Sequence, residues 1–535
     1  MSVVETRPDD APPARRPAAA DWFTSADHKR VGVAMLWTSL AFAAVTAVAA
    51  VALGIESVGK GIDFLDGGRD LQYQTLLLSS VFYLFLLPAF LGLAVYLVPL
   101  QIGARRSAFP RLHQFAYWLY LGGGVVVVAS YLTSGGPYGA QALLGPPAAA
   151  QGGQASALWI LGMGAVVLAL VVTAAGIVAT VTTLRAPGMT LDRAPVFTWS
   201  AFVGSIVLAL SLPVFGAGLL LHGVNLASGG DLWTSNAMQN VWQHTLSIWM
   251  RPEILALLVF TAGAVSEVVT GFGRKRLLAY VPALGLIGAI GALTFVVWAS
   301  EKVRPDAPLA PTQTVQAVLV FAPLGLLLLM WLGTLASGRP RPSAALVLAA
   351  GAVVMLAVGL AGGVSGLIVD VTGGTAWAQG HGEVLYVAVP VFALSAAAFY
   401  WAPKIWGRFL NEPLGYLQFL ALIGGFLLST VPAYTGLRDA KRYAVDFTGD
   451  ELTFARLAAA GTILVVVGLV LFAVNLVGAA MGRGKVAAAD AWEDGATLEW
   501  LAPSPPPPWN FTDDQIPPIR SEQPVADLRT TEVSA

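Results

Sequence analysis

The sequence predicts an all-α integral membrane protein, a bundle of twelve transmembrane helices. Three observations carry that prediction. The chain of 535 residues is 56% hydrophobic and only 11% charged, with a mean hydropathy of +0.71, whereas an average soluble chain carries about a quarter charged residues. Its apolar residues gather into twelve stretches long enough to cross a bilayer as helices. A membrane β-barrel would instead need alternating segments of about ten residues.

The stretches alternate with loops whose basic residues set the orientation. Before the first span, 31–54, lies a polar arm with Arg7, Arg15 and Arg16 and no apolar core, so it is not read as a signal peptide. Spans 75–100 and 114–133 are joined by a loop holding Arg105, Arg106 and Arg111. Arg185 and Arg193 lie between spans 156–183 and 196–222. Spans 246–270 and 277–298 flank Arg274, Lys275 and Arg276; spans 313–336 and 344–370 flank Arg339 and Arg341. Lys404 and Arg408 separate spans 383–404 and 414–437, and the last span, 455–480, leads to Arg483 and Lys485. The intervening loops are poorer in basic residues, and those after spans three, five and nine have none. The positive-inside rule then places both termini in the cytoplasm, in a cell inner or plasma membrane. One cluster departs from it: Arg438, Lys441, Arg442 and Arg456 fall in and around the last outer loop.

Three regions follow: a cytoplasmic arm 1–30, a membrane domain 31–480, and a Pro-rich cytoplasmic tail 481–535 with SPPPP at 504–508, expected to be solvent-exposed. The bilayer is the expected partner. A net charge of −1 gives no reason to expect nucleic acid, and the absence of cysteine excludes disulfides and thiolate chemistry.

Ionisable groups inside spans cost about 2.5–3.5 kcal/mol each to insert, so they mark pairs, pathways or sites. Arg251, Glu253 and Glu267 fall in the sixth span; His381 and Glu383 open the tenth. Glu267, just before the basic GFGRKR, reads as an interfacial structural residue. Arg251 must either snorkel outward or pair internally. Of the five histidines, His28, His113 and His222 read as interface residues and His244 as structural. No two stand at helical spacing for a shared metal.

Several motifs carry a resemblance: TSADHKRVG (24–32), LVPLQIGARRSAFPRLHQFAYWLYLGG (97–123), VWQH (241–244) and Arg251-Pro252-Glu253. VSEVVTGFGRKRLLAY (265–280), FVVWA (295–299), YWAPKIWGR (400–408), KRY (441–443) and TLEWLAPSPPPPWNF (497–511) extend it. Together they span about residues 21–512 and resemble the haem–copper oxidase superfamily, in particular the subunit I type of cytochrome c oxidase. That family has twelve spans with both ends inside. Six histidines in it hold two haems and one copper ion.

The resemblance implies that most of those ligands are replaced here. Counting back from Pro88, the first low-spin haem position is Leu77. The copper positions are Arg251, Ser300 and Glu301. Counting back from Trp401, the high-spin haem position is His381 and the second low-spin position is Glu383. The tyrosine that joins a copper ligand corresponds to Leu255, and the polar entrances of two proton routes correspond to Leu327 and Arg106. Glu253 survives, and Lys441 and Arg442 match an arginine pair that faces haem propionates in the family.

Arginine stays protonated and has no lone pair to offer a metal. Copper is therefore not expected, nor is a bis-imidazole haem between Leu77 and Glu383. No cofactor is expected, the alternative being one haem on His381. A buried Arg251–Glu301 or Arg251–Glu253 ion pair is expected in the old copper pocket. The leading functional expectation is a pseudo-oxidase, a structural or assembly subunit among respiratory oxidase-type subunits in which oxygen reduction is lost. The alternatives are a transporter or channel through the emptied core, or a single-haem redox protein.

Overall fold

The computed structural model describes residues 25, 27–59, 65, 69–132, 154–228, 232, 235, 238, 241, 245, 251–300, 309–368, 375–441, 444–512 and 515–534. Twelve long helices follow one another among them. They are α1 His28–Glu56, α2 Arg69–Gln101, α3 Pro110–Ser130, α4 Gln154–Thr183, α5 Val196–Ser228 and α6 Pro252–Gly273. Next come α7 Tyr280–Ser300, α8 Leu309–Ser337, α9 Ala344–Ile368, α10 Ala376–Trp406, α11 Glu412–Tyr434 and α12 Asp450–Ala480. Eleven are long and apolar enough to cross a membrane, and the described apolar part of α8, Phe321–Ser337, stands in the place of the twelfth. A short α13, Pro524–Ser534, ends the chain. The only strand-like pairings among the described residues are isolated bridges, Thr375 with Lys441 and Arg408 with Val486.

Several helices begin before their apolar windows, because their first turns carry acids. Asp70, Glu412 and the pair Asp450 and Glu451 lie there and complement the positive helix end. Asp27 caps α1 by accepting from Lys29 N at 3.0 Å, and Asn411 caps α11 by accepting from Leu414 N at 2.9 Å.

Burial separates an inner layer from an outer one. The apolar windows of α2, α6 and α10 are 100%, 89% and 94% buried, against 22% for α12. Three central helices therefore form the core, and the others give one face to lipid. Gly32 and Gly92 let α1 and α2 touch, since a Cβ on Gly32 would lie 2.6 Å from Gly92 O.

Both α2 and α10 loosen into a π-turn, at Ser80–Leu86 and Val384–Ala388, just ahead of Pro88 and Pro390. Proline offers no N–H to the carbonyl four residues back. For Pro88 that carbonyl is Leu84 O, and the Tyr120 hydroxyl donates to it at 2.5 Å. The second irregular turn follows directly on Glu383, and the first begins about one helical turn after Leu77.

Two expectations are corrected. The segment after Ala480 is not solvent-exposed throughout: Leu498, Glu499, Trp500 and Asn510 are buried. Lys404 Nζ donates to Ala489 O at 2.9 Å and Ala502 O at 2.6 Å. Asn510 donates to Ala104 O at 2.8 Å and accepts from Lys29 Nζ at 2.9 Å. The tail thus closes one end of the bundle, giving the chain's polar atoms partners that a loose tail would find in water. His28, His113 and His222 are likewise buried rather than interfacial. His113 lies against Gly176 of α4, the one residue type whose missing Cβ leaves room for the ring.

Candidate functional site

Of the positions that the resemblance assigns to replaced ligands, Leu77 and Glu383 lie on the central helices α2 and α10, Arg251 stands at the start of α6, and Ser300 ends α7. On α6 the expectation of a charge inside a helix is corrected. Arg251 is the N-cap, with extended backbone (φ −72°, ψ 142°), and Pro252 is the first helical residue. Proline fits the first turn because its missing N–H is unpaired there anyway, and it pushes the preceding residue into the extended region. Glu253 follows in the first turn, where a carboxylate meets both the helix dipole and the guanidinium.

Arg251 is buried at 2% exposure and Glu253 at 0%. Arg251 Nε donates to Glu253 Oε1, and Nη1 donates to Thr245 O. The guanidinium carbon lies 4.5 Å from the centre of the Phe215 ring on α5. Tyr83 of α2 donates its hydroxyl to Glu253 Oε1 at 3.2 Å and stacks on Phe215 at 5.0 Å. Taking either charge alone out of water would cost several kcal/mol; the pair, its hydrogen bonds and the aromatic face offset much of that. Glu253 Oε2 has no hydrogen-bond partner among the described residues. Leu255 packs in the core at 2% exposure and Leu327 at 0%. Arg106 is exposed. Glu301, His244, Arg442 and the Ser300 side chain lie outside the described residues, as does the arm 1–24.

Leu77 and Glu383 both line a cavity of about 290 Å³ between α1, α2, α10, α11 and α12. Its lining is mostly apolar and includes Phe82, Phe85, Val391 and Phe426, with Lys441 and Gln74 as polar contributors. Glu383 accepts from Ser429 Oγ at 3.1 Å. Gly380 allows α10 to press on α11, because a Cβ there would stand 2.5 Å from Ala433 Cβ. Gly380, beside His381, therefore serves helix packing, while Gly382 lines the cavity.

His381 lies outside the lining of that cavity. Its Nδ1 is 3.1 Å from the Tyr434 hydroxyl, its ring stacks on Trp377 at 5.0 Å and 12°, and Phe321 meets it edge-on at 5.9 Å. Sequence reasoning missed Tyr83, Phe215, Trp377 and Tyr434, since aromatic residues in apolar helices carry no signal of what they will touch.

A second polar cluster lies at the end closed by the tail. Glu499 Oε1 accepts from Gln101 Nε2 at 3.0 Å and Trp401 Nε1 at 3.2 Å, and Gln101 Oε1 accepts from Thr198 at 2.7 Å. Burial pushes the Glu499 carboxyl above the usual range. Glu267 is 6% exposed and accepts from Phe197 N at 3.2 Å, so it is buried rather than snorkelling. The TLEW motif was the sequence signal for Glu499, but a motif does not reveal burial.

The donor sets decide what could be held. Leu77 offers no lone pair, and the Arg251 guanidinium offers none either. A copper held at 251 and a haem held between 77 and 383 therefore do not fit these residues. Among the described residues, no three His, Asp or Glu side chains come together as a metal group.

Comparison with known proteins places this geometry. A sequence model described as Cytochrome C and Quinol oxidase polypeptide I matches residues 30–440. A protein of Nocardia farcinica named probable cytochrome c oxidase subunit 1-beta is 31% identical, with 94% of this chain and 87% of that protein aligned. Proteins named cytochrome c oxidase subunit 1 from Corynebacterium glutamicum and Alkalihalophilus pseudofirmus are each 30% identical. The alignments cover 98% and 94% of this chain, and 92% and 82% of the relatives. A solved structure titled as a heme-copper terminal oxidase dimer superposes with a TM-score of 0.67 at 14% identity, over 94% of this chain and 90% of that one, which shows the shared fold.

Proposed function

The chain belongs to the cytochrome c and quinol oxidase polypeptide I family, and from that premise we propose that it is a non-catalytic member, a structural or assembly subunit of a respiratory-type membrane complex. The family normally binds haem and copper. The observation that carries the proposal is the buried Arg251–Glu253 pair. A permanent cation, held by a carboxylate, a carbonyl and an aromatic ring, stands where the resemblance puts a copper ligand. Leu77 and Glu383 support the same reading at the low-spin haem positions. The tail packed against the bundle and the family-like motifs of the loops between helices support an outer shape able to meet oxidase-type partners. The basic residues gathered at the tail end support placing both termini in the cytoplasm.

An optical spectrum and metal analysis of the purified protein test this reading. Haem and copper near stoichiometric amounts would overturn it. A single haem lost on His381→Ala would convert it to the one-haem redox alternative. Without cofactor, co-purification with respiratory subunits is the expected result, and ion flux in liposomes without such partners would point to a transporter instead.

A further inference from the structure

At the end of the bundle closed by the tail, a crevice of about 770 Å³ opens between the ends of α9, α11 and α12 and the segment after α12. Three cations line it: Arg341 before α9, and Arg483 and Lys485 after α12. None of the three has an ion-pair partner among the described residues, although the Arg341 charge acts on the nearby Glu412 carboxyl, whereas three other arginines at this end are paired. Arg274 pairs with Asp494 at 2.9 Å, Arg276 with Asp527 at 2.6 Å and Glu522 at 3.3 Å, and Arg529 with Asp490. The crevice also holds two carboxyls. Glu412 already accepts from Ala344 N at 2.6 Å, and Glu493 comes from the exposed tail.

Apolar side chains also line the crevice, and some of them are exposed at the outer surface of the bundle. Val474 of α12 and Tyr416 of α11 line the crevice and are 56% and 38% exposed. On the same two helices Leu417, Leu420 and Val470 are 53%, 60% and 54% exposed. A polar cation rim above an apolar helix face is the arrangement that takes a phosphate head and its acyl chains together.

We propose that this crevice is a binding site for an anionic phospholipid, its phosphate held by Arg341, Arg483 and Lys485 and its chains laid along α11 and α12. The site is independent of any cofactor, so it stands whether or not the protein is catalytic. Arginine presents a planar fork of donors to phosphate oxygens, and lysine adds a mobile point charge.

The test uses the full-length protein in detergent, titrated with phosphatidylglycerol or phosphatidylcholine and read by native mass spectrometry. Bound phosphatidylglycerol is expected to survive delipidation, with phosphatidylcholine showing no saturable binding. Arg341→Gln, Arg483→Gln and Lys485→Gln should each weaken phosphatidylglycerol about fivefold, and the triple variant on the order of a hundredfold. The charge-preserving Arg483→Lys/Lys485→Arg variant should bind within a few-fold of wild type, which separates lost charge from lost folding. Equal binding of both lipids, or a triple variant that binds as wild type, would overturn the proposal. So would inorganic phosphate displacing phosphatidylglycerol at equal concentration, since that would mark a soluble-anion site.

Discussion

Replacing Arg251 by methionine leaves the Glu253 carboxylate at 0% exposure without its counter-charge. At contact distance and an effective dielectric constant of about 20, two unit charges attract by about 4 kcal/mol. Breaking a buried pair from one side costs about 3–5 kcal/mol, because the remaining charge stays desolvated. Arg251 also gives up its bond to Thr245 O and its place over Phe215. Arg251→Met should therefore lose about 3–5 kcal/mol. Glu253→Gln keeps an acceptor for Tyr83 and Arg251 and should lose less, about 2–3 kcal/mol. The double variant Arg251→Met/Glu253→Leu replaces both charges by apolar side chains of similar volume and should fall within about 1–2 kcal/mol of wild type. Reversible unfolding in mixed micelles, followed by circular dichroism, gives the three numbers and the coupling between the two sites. Additive effects, each under about 1 kcal/mol, would show that the pair is not a buried electrostatic unit and would refute the reasoning.

Three further outcomes follow from the packing and the tail. Gly380→Val puts a branched side chain where Ala433 already stands and should cost about 1–3 kcal/mol by overpacking, measured as a lower unfolding midpoint. Trp500 is 1% exposed, lies 5.4 Å from the Tyr400 ring and has Lys404 Nζ 5.1 Å above it; Trp500→Ala should cost about 3–5 kcal/mol and make the tail protease-sensitive. Glu499 has a raised folded-state pKa because it is buried, with Glu267 and Lys404 as its titratable neighbours. The folded state thus holds the proton more tightly than the unfolded chain. This contribution to stability is present below the ordinary carboxyl range and is lost as pH rises through the raised folded value. Glu499→Gln should flatten that decline above the ordinary carboxyl range, read as unfolding midpoint against pH.

Much of the molecule was legible in the chain. The apolar windows located each of the twelve helices to within a few residues at most ends, because length and hydropathy are local properties that the bilayer reads directly. Their true starts lay earlier where Asp450, Glu451 or Glu412 complement a helix dipole. The side-chain chemistry at Leu77 and Arg251 was legible too, since neither a leucine nor an arginine has a lone pair to give a metal in any fold. What the tail would do was not. Its prolines and polar residues look like a free terminus until Glu499, Trp500 and Asn510 are seen buried against residues hundreds of positions away.

The sequence by itself determined the solvent, the all-helical membrane architecture and the metal chemistry that the Leu77 and Arg251 side chains cannot perform, because these depend on composition and on the atoms each side chain carries. Only the tertiary structure decided which carboxylate meets Arg251, that Arg251 stands at the N-cap position of α6 rather than inside the helix, and that His381 lies among Trp377, Tyr434 and Phe321. Those outcomes depend on helices far apart in the chain meeting at distances of a few ångströms, and hydrophobic patterning does not specify which faces meet.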